Sequence, residues 1–339
     1  MSKKIFAVAF VGAIACVALF AVTTPTRAPI STLFEGEMTE DQQAFINFMQ
    51  KFNRVYNDAD EFHYRYRVFS DSYRKIQQEN LKNSGSTLGV TQFADLTPEE
   101  FKSTYLGYVR DERNLQHESL PMFPRTGYAP KTVDWRTEKD VVQHVKDQGQ
   151  CGSCWAFSAV GAVESAHAIA EKELLDLSEE QVVDCCNLLH GCLCFGCNGG
   201  QMTAAINYIK KGGITDQDSY PYHAGKDRKG GKCHKFSPVV KIKGQNAVQT
   251  RNIEAMEEAL AVEPLSVGVD ASTWQLYTGG VHSCTGGIQL NHGVLGVGYT
   301  ADAWIIKNSW GTMWGESGFI RVSKKNDCGA TSEPVGVEP

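Results

Sequence analysis

Ten of the eleven cysteines fall between Cys151 and Cys328, and the eleventh, Cys16, lies in an apolar run near the N-terminus. That run, Ile5 to Val22, follows Lys3 and Lys4 and gives way to the small and polar TTPTRA. The order is that of a secretory signal, although 18 apolar residues also reach the lower limit for a membrane anchor. The signal reading sets residues 1–28 apart. An exported chain passes through an oxidising compartment, so most of the remaining cysteines are expected as disulfides. The fold beyond residue 150 is therefore restricted to arrangements that bring distant cysteines together. Export also predicts a destination in the secretory pathway, either a lysosome- or vacuole-type acidic compartment or the outside of the cell.

The 339 residues exceed one average domain, and 42% hydrophobic residues suffice for a sizeable core. A net charge of -6 and an isoelectric point near 5.9 give no basic excess, which argues against nucleic acid as a partner. Residues 31 to about 118 read as charged helices. Phe45, Phe48, Met49 and Phe52 share one helical face, with Thr39 and Gln42 as a capping-box pattern before them. Phe62, Tyr66, Phe69, Tyr73 and Ile76 form a second stripe. This region has too little core to stand alone and should dock on the C-terminal part of the chain. From about Asn114 to Pro130 the periodicity stops and prolines collect, which marks a linker open to proteolysis. Beyond it, a helical half contains the run from Cys154, LSEEQVVDC and QMTAAINYIKK. A strand-rich half contains LSVGVDA, GVLGVGYT, AWIIKNSW and GFIRVSK.

The stretch GQCGSCWAFSAV, Gly149 to Val160, poses the chemical question. Cys151 and Cys154 could be a redox pair, half a zinc site, or two thiols with different roles. Cys154 follows turn residues and opens a helical run, so a helix N-terminus stands beside its sulfur and favours thiolate. The dipole contributes only about 0.3–1 kcal/mol, so a nucleophilic thiolate also needs an imidazolium partner. His292, 138 residues on, begins a predicted strand, and Asn308 ends the next, where its amide oxygen could orient the ring.

These residues carry a resemblance. VDWR, QGQCGSCWAFS, GCNGG, YPY, NHGVLGVGY and NSWGTMWGESGF occur in the order found in papain-family, cathepsin L-like cysteine proteases, and the likeness runs from about residue 40 to the C-terminus. It implies an α+β, papain-like fold of two subdomains, a helical half and an antiparallel β half, in a peptidase domain spanning 129–339. It implies Cys154 as nucleophile, His292 as acid and base, Asn308 as orienting residue and Gln148 as side-chain donor of the oxyanion hole. Gly199, Gly200, Met202, Gly268, Leu290, Gly293, Trp310 and Glu333 would contact substrate, with Trp310 shielding Asn308 and Glu333 at the floor of the second specificity pocket. Asn291 stands where relatives carry aspartate. Trp314 reads as a core aromatic.

The resemblance further implies disulfides Cys151–Cys197, Cys185–Cys233 and Cys284–Cys328. One local bridge from Cys186 to Cys192 or Cys194 is expected, resembling the doubled cysteine of cathepsin B; the clustered cysteines also admit a zinc reading, which is set aside. No metal or cofactor is expected. Residues 29–128 would be an inhibitory propeptide, because Glu61, Arg65, Phe69, Ile76 and Asn80 match the spacing of an ERFNIN-type prosegment. Ser72 and Thr91 stand where that pattern has asparagine, departures expected to weaken local hydrogen bonding, and Glu61 and Arg65 are placed to pair along the helix. Asp95 is expected to tether the prosegment and release it in acid. The implied activity is hydrolysis of peptide bonds by a cysteine endopeptidase made as a zymogen, since Tyr222 to Cys233 is too short for the occluding loop of a carboxypeptidase. Partners would be protein or peptide substrates, the chain's own propeptide and cystatin-type inhibitors, with no membrane after signal removal. An exopeptidase variant or an inactive disulfide-rich binding protein on the same fold are the rival readings.

Overall fold

Two stripes of aromatic residues meet first along the chain. The computed structural model describes residues 34, 37–110, 115–190, 192–284 and 286–339, so the expected export signal lies outside it. Among the described residues no helix is long and apolar enough to cross a membrane. Helices α1 (Glu40–Lys51) and α2 (Ala59–Asn80) bury Phe45, Phe48, Phe62 and Phe69 against one another, with ring centroids 5.1 Å apart for Phe48 and Phe69. Asp58 caps α2 by accepting the Glu61 amide. Arg65 does not pair with Glu61: it donates to Glu100 at 2.7 Å and to the Asp95 carbonyl, while Glu61 accepts from Asn57. The reason is preorganisation, because the Glu100 carboxylate already sits at the capping box of α3 (Pro98–Tyr105), accepting from the Thr97 amide, and offers Arg65 a fixed partner.

Asn80 at the end of α2 works as a backbone mimic. Its amide donates to the Leu88 carbonyl and accepts from the Leu88 amide, which fixes β1 (Ser86–Leu88). Thr91 keeps its hydrogen bonding despite standing for asparagine; its buried hydroxyl donates to the Gln275 carbonyl and accepts from the Phe93 amide. The segment read as a linker is docked rather than loose. After α4 (Leu115–Glu118), Pro121 and Phe123 exchange backbone hydrogen bonds with Ala247, and Arg125, Thr126 and Gly127 all donate to Glu258.

Following β2 (Val133–Asp134), the helical half comprises α5 (Cys154–Glu171), α6 (Glu179–Cys185), α7 (Met202–Gly212) and the single turn α8 (Ala224–Asp227). Ser178 caps α6 by accepting the Gln181 amide; the Gln181 side chain turns away to the Thr215 amide, so the capping box is half formed. Then come β3 (Gly244–Ala247), α9 (Ile253–Leu260), β4 (Leu265–Val269), β5 (Tyr277–His282), β6 (His292–Tyr299), β7 (Ala303–Lys307), β8 (Phe319–Ser323) and β9 (Val335–Glu338). The sheet runs β1-β5-β8-β7-β6-β4-β9-β3, with β2 on β6. It is antiparallel except for the β5–β8 pair, and β1 covers what is otherwise the β5 edge.

Strand alternation ties the halves together. Leu295 and Ile305 face the core of the helical half, whereas Val294, Trp304 and Ile306 face the core of the β half. Disulfides join Cys151 to Cys197, Cys185 to Cys233 and Cys284 to Cys328. The expected fourth bridge is not closed: Cys186 and Cys194 are thiols with sulfurs 3.2 Å apart, and Cys192 sits against Cys186.

Phe69→Ala should remove about 3–5 kcal/mol from the stability of the N-terminal module, because the cavity opens among the rings of Phe45, Phe48 and Tyr73. Limited proteolysis in urea would show it as earlier cleavage within α2, with the C-terminal domain's transition unmoved.

Candidate active site

Cys154 is the first residue of α5, at the helix N-terminus where backbone amides converge. His292 is the first residue of β6, and Gly293, next in the chain, donates its amide toward the Cys154 sulfur. A side chain at Gly293 would fall 3.0 Å from the Met202 sulfur and 3.1 Å from the Cys154 carbonyl, so only glycine lets α5 and β6 abut here. The His292 Nε2 donates to Asn308 Oδ1 at 2.8 Å, a tautomer that leaves Nδ1 as acceptor. Among the described residues that buried Nδ1 has no hydrogen-bond partner. Trp310 lies over the pair, its ring 4.7 Å from the imidazole and fully buried. Trp314 donates to the Trp274 carbonyl in the core, as expected.

Gln148 comes from a different loop and is locked beside Asn308. Its backbone amide donates to the Ser309 carbonyl, and its side-chain oxygen accepts from the Ser309 hydroxyl at 2.7 Å. The Nε2 group then donates to two carbonyls, Cys151 at 2.8 Å and Tyr105 at 2.9 Å. Tyr105 belongs to the N-terminal arm, so a carbonyl from outside the C-terminal domain already sits on this donor.

The arm continues across the cleft. The Gly107 amide donates to the Cys154 sulfur at 3.3 Å, the Gly200 amide donates to the Gly107 carbonyl, and Val109 donates to Gly200, a parallel bridge with Tyr108. A Cβ on Gly107 would stand 1.9 Å from the Gly152 carbonyl oxygen, and one on Gly199 2.6 Å from the Gly107 carbonyl oxygen. Glycine is thus required on both sides of this crossing. Tyr108 enters the space between Gly268, Leu290 and Met202, and its hydroxyl reaches Glu333. Arg110 donates to the other Glu333 oxygen at 2.7 Å. Glu333 is buried at 5% exposure, so Tyr108 and Arg110 meet a carboxylate held out of water.

Burial under the arm governs the electrostatics. It pushes the Cys154 thiol up to about 11 despite surrounding amide donors, and it pushes His292 down to about 4 despite the Asn308 contact. Burial thus favours the neutral form of both groups in the covered state. Asn291 donates to Asp270 and to Ser272; although burial opposes it, hydrogen bonds from Gln289, Ser272 and Asn291 hold the Asp270 carboxyl below the usual range. An anion thus lies one side chain beyond Asn291.

The structure gathers the sequence-predicted residues in one cleft. The arm residues that occupy it, Tyr105, Gly107, Tyr108 and Arg110, escape sequence reasoning, because a carbonyl or glycine in a covering segment carries no side-chain signature.

With that geometry, residues 129–337 match the papain family cysteine protease domain and residues 45–101 the cathepsin propeptide inhibitor domain. Cysteine proteinase 1 of Zea mays is 41% identical over 318 residues, 85% of this chain and 84% of its own. Digestive cysteine proteinase 3 of Homarus americanus is 42% identical over 307 residues, 85% and 92% of the two chains. Among solved structures, a recombinant stem bromelain precursor superposes with a TM-score of 0.79 at 33% identity, covering 88% of this chain and 99% of its own. Digestive procathepsin L 3 from Tenebrio molitor gives 0.79 at 32% identity, covering 89% and 100%. The chain belongs to the papain family: it is a cysteine protease carrying its own inhibitory propeptide.

A thiol pushed up to about 11 by burial has little thiolate near neutral pH. Alkylation of Cys154 by iodoacetamide in the precursor should therefore be slower by orders of magnitude than after removal of the arm. Peptide mapping of labelled Cys154 reads this, and equal rates would show that the arm does not control the thiol.

Proposed function

We propose that the enzyme cleaves internal peptide bonds through a Cys154 thiolate and a His292 imidazolium, with Asn308 orienting the ring. The carrying observation is the hydrogen bond from His292 to Asn308 beside a cysteine that heads a helix. The Cys154 sulfur attacks the scissile carbonyl, and the developing oxyanion takes hydrogen bonds from Gln148 Nε2 and the Cys154 amide. The Tyr105 carbonyl on Gln148 supports this assignment, since it is a carbonyl oxygen already seated on the donor. His292 gives its proton to the leaving amine, then takes one from the water that hydrolyses the acyl-enzyme.

Gly199, Gly200 and Gly293 would accommodate the substrate backbone, as Gly200 does for Gly107 and Val109. Met202, Gly268 and Leu290 would line the second pocket with Glu333 at its base; Tyr108 and Arg110 reach that carboxylate from the arm, which supports a preference for basic as well as aromatic side chains. The stretch between Tyr222 and Cys233 holds only α8 and a loop against Asp184, which supports endopeptidase over carboxypeptidase. Residues 29–128 act as the propeptide, cleavage near 128 releasing a 129–339 enzyme that works in an acidic compartment of the secretory pathway or outside the cell. Cystatin-type inhibitors would compete for the same cleft.

Cys154→Ala and His292→Ala are expected to abolish peptide hydrolysis, while Asn308→Ala retains a reduced rate, because only the first two move bonds or protons; wild-type turnover in Cys154→Ala would refute the mechanism. A charge-assisted hydrogen bond contributes about 1.5–3 kcal/mol, more than tenfold in rate. Comparing kcat/KM for substrates with Arg or Phe in the second pocket, Glu333→Ala should lower the Arg/Phe ratio at least tenfold, and an unchanged ratio would place Glu333 outside the pocket.

Acid should loosen the arm, but not through Asp95. Burial raises the Asp95 carboxyl above its ordinary value, so its protonation on acidification relieves a cost and favours the docked form. The groups with the opposite sign are Glu258 and Glu100. Hydrogen bonds from Arg125 and the Gly127 amide pull Glu258 down to about 2; for Glu100, burial is outweighed by Arg65 and the Thr97 amide. Glu258, held from across the docked contact, stabilises docking above the ordinary value of 4.5 and loses that contribution as pH falls below it toward the docked value, whereas Glu100, held by Arg65 and Thr97 of its own module, stabilises that module's fold with the same sign. Self-processing should accelerate as pH drops through about 4.5, and Glu258→Gln should mature faster than wild type at about pH 6. Identical maturation rates for the two proteins across that range, followed on gels, would remove Glu258 from the control.

A further inference from the structure

We propose that Glu180, Asp184 and His223 form a binding site for a divalent metal ion of the zinc type, on elements that carry neither Cys154 nor His292. One nitrogen and two carboxylate ligand atoms from these residues lie within 4.8 Å of one another. Glu180 and Asp184 are four apart on α6 and so share one face; His223 immediately precedes α8.

The arrangement around His223 is that of a metal-ligating histidine. Its Nδ1 lies 3.3 Å from Asp227 Oδ2, so the ring can give that N–H to a carboxylate and turn Nε2, a bare acceptor, inward. There Nε2 meets Glu180 Oε1 at 3.2 Å. Two acceptors at this distance repel unless a proton or a cation stands between them. Two ligand atoms each about 2.0–2.2 Å from one zinc ion are separated by roughly 3 Å, which the observed spacing matches.

Glu180 supplies the independent observation. It is fully buried, and its Oε1 has no hydrogen-bond partner among the described residues. The other oxygen, Oε2, accepts from the backbone amides of His223 and Ala224 at 3.0 Å each, which fixes the carboxylate plane and aims Oε1 at the ring nitrogen. Asp184 is oriented in turn by the Tyr220 hydroxyl at 2.9 Å and by the Gly231 amide. A buried carboxylate oxygen facing a second carboxylate and an imidazole is a costly arrangement that a divalent cation relieves. His223 is half exposed, which gives the ion a path in and leaves a coordination position for water. Mixed nitrogen and oxygen ligands suit zinc better than magnesium or calcium.

The site would act on the cleft from behind. The Tyr222 hydroxyl donates to the Gln148 carbonyl at 2.7 Å, and Gln150 donates to the Gly225 carbonyl at 2.8 Å. An ion joining His223 to α6 would therefore brace the loop against which Gln148 rests.

The experiment uses the full-length chain carrying Cys154→Ala, which cannot process itself, titrated with Zn2+ by calorimetry and with Co2+ by absorption. Glu180→Gln keeps an oxygen for the two amides, and His223→Ala removes only the ring, so both should fold; circular dichroism checks this. One equivalent of Zn2+ should bind, with affinity reduced at least tenfold in each variant and also in Asp227→Asn. Bound Co2+ should show visible bands without a sulfur-to-metal band. The proposal is overturned by no binding up to millimolar Zn2+, by equal affinity in Glu180→Gln and His223→Ala, or by a sulfur-to-metal band that persists in both, which would assign the ion to the thiols of Cys186, Cys192 and Cys194.

Discussion

The docking of one helix onto one strand sets everything else. Helix α5 lies across β6 and β4 at the distance glycine and serine allow: Gly161 brings the Leu295 side chain to 3.3 Å of where a Cβ would stand, and Ser158 donates to the Val294 carbonyl while sharing a hydrogen bond with Ser266. Because the first residue of α5 is Cys154 and the first residue of β6 is His292, this packing fixes two reactive groups at adjoining ends of rigid elements. Any slip of the strand by one residue would carry His292 to the other face of the sheet and Leu295 out of its core. The pairing Val269–His292 and Gly268–Gly293 with β4 prevents that slip, and it places Gly268 beside Tyr108, Leu290 and Met202 by the same register.

The arm exploits donors that the fold cannot hide. A cleft built to bind an extended chain must leave backbone groups and the Gln148 amide unpaired inside it, and unpaired buried polar groups are costly. Tyr105, Gly107 and Val109 satisfy them one after another, so the covered state needs no specific side-chain lock in the cleft beyond Tyr108 and Arg110 on Glu333. The remainder of the N-terminal module holds the arm in place from outside: β1 extends the sheet, Gln92 donates to the Trp310 carbonyl, and Phe93 and Phe101 stand edge-on to the Trp310 ring. The same tryptophan that packs on the His292 ring thus anchors the N-terminal module.

How much of the molecule is legible in its sequence depends on the kind of interaction involved. Cys154, His292, Asn308 and Gln148 can be placed because each is a chemically distinctive residue within a motif, and β4, β6 and β7 because they are apolar runs buried on both faces. The Gly- and Thr-containing β5 and the three-residue β1 have no such pattern; they exist as strands because a neighbour offers a ladder. Helical spacing assigns Arg65 to Glu61, and the structure gives it to Glu100, since a fixed partner that is itself capping a helix offers more than an exposed pair worth a few tenths of a kcal/mol. Charge alone makes Asp95 an acid-released tether, yet the sign of its effect depends on burial, which no motif reports. The three disulfides come with the resemblance, whereas the state of Cys186 and Cys194 depends on local geometry.

Covering the cleft does more than block substrate. A thiolate and an imidazolium stabilise one another only while water or protein dipoles solvate both, and under the arm the Cys154 sulfur keeps a single arm donor, the Gly107 amide, which burial outweighs. Burial favours a neutral thiol beside a neutral imidazole whose Nδ1 is left without a partner among the described residues. Burial and the arm thus act in the same direction on the thiol, one disfavouring its ionisation and the other covering it. The amides of Gly293 and Trp155 that point at the Cys154 sulfur remain when the arm leaves. Those two amides belong to β6 and α5, the same rigid elements that carry His292 and Cys154.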